Sequence, residues 1–225
     1  MNFFDYYILR KRYTVADLVN PKALLSEQDR HAVKVLIVDD EEFTYEDSLR
    51  RVGFNIQKYD DIESTETAEA FHIVICDVRG VGKKFKSQQE GAFVLNRLKQ
   101  KYPMKEFAVY SGSLFNTELT ETLQNIHIIK KDQPSEDWCN DIDALIRKVT
   151  NPKTIWQKIA RIMIENEVPT QVISKMEHEY VEVIRDKKGD FSNFPSSRCL
   201  NKVDGDISGI IHSLVASIVL LPFSL

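Results

Sequence analysis

Five polar side chains in this sequence each close an apolar run. Asp39 and Asp40 follow residues 33–38, Asp77 follows 71–76, Ser111 follows 107–110 and Lys130 follows 126–129. If those runs are strands of one parallel sheet, all five groups emerge at the same edge, where ligands of such sheets bind. Three clustered carboxylates repel one another and call for a counter-charge. A hard divalent cation such as Mg²⁺, held by oxygen ligands, supplies one, and it also neutralises the oxygens of an incoming phosphoryl group. An ionised aspartate is a competent nucleophile for that group, and a hydroxyl and a lysine can hold its remaining oxygens. Taken singly, each signal has a plainer reading. Asp39-Asp40 can cap a helix entry, Asp77 can be loop chemistry, Ser111-Gly112 an ordinary turn, and Lys130 one solvated lysine among many. Their joint order and register favour the chemical reading.

The elements that must position these residues are legible in outline. Residues 33–38, 54–59, 71–76, 107–110 and 126–129 are apolar enough for strands buried on both faces. Between them, residues 42–52, 62–70, 91–101 and 118–123 carry helical patterns, and Ser135 can cap a fifth helix through Trp138, Ile142, Leu145, Ile146 and Val149. Five strands alternating with five helices imply right-handed crossovers and a parallel sheet covered on both faces.

The motifs Lys34-Val-Leu-Ile-Val-Asp-Asp-Glu-Glu, Ile73-Val-Ile-Cys-Asp-Val-Arg, Val109-Tyr-Ser-Gly and Ile128-Ile-Lys-Lys resemble those of response-regulator receiver domains. The resemblance covers residues 33–150. It implies a flavodoxin-like fold with strand order 2-1-3-4-5, and phosphoryl transfer to Asp77 from a histidine kinase or phosphotransfer protein. It further implies that Asp40, Asp77 and the backbone carbonyl of Arg79 ligate Mg²⁺, with Asp39 acting through water. Ser111 takes the place of the switch hydroxyl and Lys130 that of the site lysine. The chain is then a phospho-acceptor with at most slow self-dephosphorylation, not an enzyme in its own right.

Several features depart from that pattern. The segment from Asp77 to Gly91 is long, lacks the usual proline and carries Lys83, Lys84 and Lys86. It reads either as a solvated loop or as a partner-contact loop. Lys130-Lys131-Asp132 replaces the usual Lys-Pro, so Lys131 is an alternative to Lys130. His127 stands where a switch aromatic is common. A receiver-like interaction module that works without phosphate is the competing function, although such a module has no need of all five polar groups. A haloacid-dehalogenase-like phosphatase would need an Asp-x-Asp nucleophile motif, whereas Arg79 follows two residues after Asp77.

The 225 residues carry a formal net charge of -4, which gives no footprint for nucleic acid. Cys76, Cys139 and Cys199 lie far apart, as expected of reduced thiols in a cytosolic protein. Residues 1–32 read as an extension strapped to the main domain. Residues 151–188 read as two amphipathic helices, a connector or homo-oligomerisation element, and they lack the dense basic surface of a DNA-reading pair. Residues 189–206 read as a linker. Residues 207–225 hold no Asp, Glu, Lys or Arg and as one helix would span about 28 Å, near a hydrocarbon core of ~30 Å. A membrane tether through 207–225, on the cytoplasmic face, is therefore expected. The alternative is a helix buried in the protein.

Overall fold

A computed structural model describes residues 12–19, 24–112, 126–186, 189–200, 203 and 205–219. The chain divides into two units, one of Lys22–Thr150 and the other of Met1–Pro21 with Asn151–Leu225.

The first unit is built on a parallel five-stranded sheet, formed by β1 (Lys34–Val38), β2 (Asn55–Tyr59), β3 (Ile73–Asp77), β4 (Glu106–Ser111) and β5 (His127–Lys130) in the order β2-β1-β3-β4-β5. The expected topology is present. Val35 to Val38, Ile73 to Cys76, and Ala108 and Val109 are all fully buried, as expected where helices cover both faces. Around the sheet lie α1 (Glu27–Ala32), α2 (Glu46–Arg51), α3 (Glu90–Lys101) and α4 (Ser135–Thr150). Leu36, Val38, Val74, Cys76 and Val109 join Ala92, Leu95 and Leu98 of α3 in one core cluster. Side chains alternate along a strand, so Val35, Ile37, Ile75 and Tyr110 face the other side, where Tyr110 meets Trp138 of α4.

Two local expectations change. The helix expected over 42–52 forms only at Glu46–Arg51, and that over 62–70 is a short 3-10 turn, Thr65–Ala68. The helix expected over 118–123 lies outside the described residues. Residues 24–32 belong with the sheet, because Arg30 on α1 makes a two-pronged contact with Asp143 of α4 at 2.9 and 2.8 Å.

In the second unit, α5 (Pro152–Glu165) and α6 (Thr170–Asp186) form the expected helical pair. Asn151 caps α5 by accepting from the Lys153 N–H, and Pro152 fills its first turn. Their apolar stripes face each other: Trp156 stacks on Tyr180, whose hydroxyl donates to the Pro152 carbonyl at 2.9 Å. Residues 12–19 of the N-terminal extension pack here. Tyr13 N–H donates to His178 Nδ1 at 2.9 Å, and Val15 N–H to Glu177 at 3.0 Å. The expected linker is partly structured. Phe191 and Phe194 are buried against Tyr180, and α7 (Ser197–Leu200) follows. The apolar C-terminal segment forms α8 (Gly205–Val219), with Ile211 fully buried and Leu214 nearly so. Among the described residues no helix is long and apolar enough to cross a membrane.

Candidate functional site

Register brings the acidic residues together. Val38 pairs with Cys76, so the next residues, Asp39 and Asp77, emerge side by side at the carboxyl edge of β1 and β3. Asp40 turns in beside them, and ligating oxygens of Asp39, Asp40 and Asp77 all lie within 4.8 Å of one another. Asp39 is fully buried and Asp77 is 7% exposed, whereas Asp40 faces solvent.

Each carboxylate has a partner. Asp39 accepts the Tyr110 hydroxyl through Oδ2 and the Glu41 N–H, at 3.0 Å, through Oδ1. Asp77 accepts the Arg79 N–H at 3.3 Å through Oδ1 and Lys131 Nζ at 3.0 Å through Oδ2. Lys131 also lies 2.9 Å from Glu41 and 3.8 Å from Asp39. Asp40 accepts from Lys83 Nζ at 3.1 Å. Partial burial pulls the Lys131 ammonium towards neutrality, but the carboxylates of Glu41, Asp77 and Asp39 outweigh it and hold its pKa above the ordinary lysine value. Burial, reinforced by the neighbouring Asp39, pushes the Tyr110 phenol far above its usual range, so it keeps the proton it donates to Asp39.

Lys131, and not Lys130, reaches Asp77, and Lys130 is an exposed residue at the end of β5. Alternation gives the reason. Ile129 points into the core at 0% exposure, so Lys130 points away and Lys131 returns to the sheet end. Ser111 closes β4 in register with Lys130, while its side chain lies outside the described part. Arg79 is placed beside Asp77 by its N–H. His127 is held by Asp141 at 2.7 Å, which also accepts from Gln133. The residue three before Lys131 is Ile128, 52% exposed. Neither position holds Phe, Tyr or Trp.

Two glycines let the loop close on the site. Gly80 adopts φ +74°, and a Cβ there would fall 2.2 Å from Asp40 Oδ1. A Cβ on Gly91 would fall 1.9 Å from the Asp77 carbonyl oxygen. Only glycine fits either place. Asp61 clamps the same loop, accepting the Gly82 and Lys83 N–H groups at 2.5 and 3.1 Å.

Tyr110, Lys83, Glu41 and Asp61 were not singled out as site residues from sequence. Tyr110 had a usable signal, a phenol one residue before the switch hydroxyl. Asp61 had none, because it acts across the fold on backbone groups.

The donor set suits a hard divalent cation, with three carboxylates converging where the lysines leave net negative charge. No family model and no curated protein matches the sequence. Solved structures similar to about half the chain include receiver domains. They include the signal receiver domain of an HD domain-containing protein from Pseudomonas fluorescens, 16% identical over 52% of this chain and 96% of that one, TM-score 0.44. A response regulator from Thermotoga maritima is 17% identical over 51% and 97%, TM-score 0.42. A CheY-like receiver domain protein from Methanospirillum hungatei is 17% identical over 52% and 95%, TM-score 0.41. The strand order of this chain is that of the flavodoxin-like doubly wound fold.

Proposed function

We propose that this chain is a phosphorylation-dependent signalling switch that accepts a phosphoryl group on Asp77. The supporting observation is the joint placement of Lys131 on Asp77 and of three carboxylates within 4.8 Å. The donor is the phosphohistidine of a histidine kinase or phosphotransfer protein. A carboxylate oxygen of Asp77 attacks phosphorus, the P–N bond breaks, and the imidazole leaves with its electron pair and takes up a proton from solvent. Lys131, held protonated by its carboxylate neighbours, balances charge as the phosphoryl oxygens arrive. Tyr110 keeps Asp39 oriented. Asp39, Asp40 and Asp77 would hold Mg²⁺, with the Arg79 carbonyl as a further ligand, and Mg²⁺ there supplies neutralisation of the phosphoryl oxygens. The phosphoryl group is lost by slow self-hydrolysis.

Output follows from Ser111 moving towards the phosphoryl group and changing the β4–β5 face. Partner proteins, or a second copy of the chain, then read that face. DNA and membrane form no part of the proposal. Ile211 and Leu214 of α8 are already covered by protein.

Incubation with Mg²⁺ and acetyl phosphate should add one phosphoryl mass to the wild type and none to Asp77→Asn. Undiminished labelling of Asp77→Asn by intact-mass spectrometry refutes the acceptor. Amide exchange with and without beryllofluoride separates the switch from a phosphate-independent module, which would show the same protection around 126–131 in both states.

A further inference from the structure

The loop between β3 and α3 carries three lysines, and they are not equivalent. Lys84 pairs with Glu63 at 3.1 Å, away from the acid cluster. Lys83 instead donates to Asp40 Oδ2 at 3.1 Å. Its aim is fixed by the backbone beneath it. Asp61 takes the N–H groups of both Gly82 and Lys83. Val81, next to them, is fully buried. Gly82 sits at φ +77°, where a Cβ would lie 2.5 Å from Val94 Cγ2 of α3. Phe85 packs near Phe93 of α3, with ring centroids 6.1 Å apart. The segment that carries Lys83 is thus seated on the domain, and the side chain bonds Asp40, with Asp61 and Glu90 adding weaker attraction.

We propose that Lys83 is a tethered counter-ion that competes with the divalent cation for Asp40, so the β3–α3 loop sets how readily the site loads. The inference rests on the metal-holding reading of Asp39, Asp40 and Asp77. Two cations on one partly exposed carboxylate repel each other, so loading favours Lys83 swinging out. A lysine stem is long and its head is 67% exposed here, so release into water is easy. Loading therefore costs one ion pair that a loop without Lys83 would not have. A partner that neutralises Lys83, such as an acidic protein surface, would favour loading and hence phosphorylation.

The test is Mn²⁺ binding to the full chain, read from loss of the free-ion electron paramagnetic resonance signal. Lys83→Ala should bind Mn²⁺ about three- to fivefold more tightly than wild type, the range a partly exposed ion pair can contribute. Lys83→Arg should stay near wild type. Asp61→Ala, which frees the loop, should move towards Lys83→Ala. In an Asp40→Asn background the Lys83→Ala gain should vanish, since the two residues act as a pair. Lys83 is exposed, so its replacement does not threaten folding. Equal affinities for wild type and Lys83→Ala overturn the competition while leaving the metal site standing. Failure of wild type and Lys83→Ala alike to bind Mn²⁺ overturns the metal site itself, and the inference with it.

Discussion

Replacing Tyr110 by Phe deletes one oxygen and leaves the ring's contacts with Phe43 and Trp138 in place. That oxygen donates to Asp39, which is fully buried and, among the described residues, also accepts the Glu41 N–H and lies 3.8 Å from Lys131. The loss is one buried hydrogen bond to a charged acceptor, about 1.5–3 kcal/mol. For the unit Lys22–Thr150, an unfolding entropy of ~2.1 cal/mol/K per residue gives roughly 0.27 kcal/mol/K. The melting transition of that unit should therefore fall by about 6–11 °C. Trp138 lies in the sheet unit and Trp156 in the helical one, so Trp138 fluorescence in a Trp156→Phe background follows the right transition. Saturating Mg²⁺ should recover part of the loss, because a cation drawn to the cluster replaces some of the missing stabilisation. A fall of less than about 2 °C without metal refutes the claim that Tyr110 supports Asp39.

Lys131→Ala should slow acetyl-phosphate labelling of Asp77 by at least ~10-fold, the scale of one lost transition-state contact, while Lys130→Ala leaves it unchanged; time-resolved intact-mass spectrometry compares them. Gly80→Ala should cost about 1–2 kcal/mol from its positive φ and weaken Mn²⁺ binding through displacement of Asp40, as calorimetry would show. Lys105 is pushed down to about 8 by burial. Between pH 8 and 10 the unfolded chain holds that proton more tightly than the folded one, so wild type should gain stability with pH relative to Lys105→Met over this window, against the opposing fall from the raised Cys76 and Cys199 thiols. Above about pH 10 stability should fall, because Tyr110 stays protonated only in the fold; urea titrations at stepped pH test both signs. Ile211→Ala should destabilise the helical unit by about 2–4 kcal/mol, seen as faster amide exchange in α5 and α6, whereas a lipid-facing Ile211 would leave that exchange unaltered.

The sequence by itself determined the sheet. Apolar runs of four to six residues, with helical patterns between them, have few ways to bury both faces, and a parallel sheet with alternating crossovers is the way this chain uses. Asp39, Asp40 and Asp77 were legible for the same reason, since a polar residue ending a buried strand marks the edge where ligands bind. Tertiary structure decided the rest. The choice of Lys131 over Lys130 turned on which face Ile129 occupies, a matter of one residue in register. The support of Asp39 by Tyr110 needed β1 and β4 to flank β3. The aim of Lys83 depended on Asp61, a residue from the β2–β3 connection that acts on backbone N–H groups and leaves no motif. The apolar C-terminal run met both the membrane and the buried-helix reading in sequence, because lipid and a protein core reward the same composition. The burial of Ile211 and Leu214 in the helical unit favours the protein core, since there the side chains find packed neighbours that sequence alone does not specify.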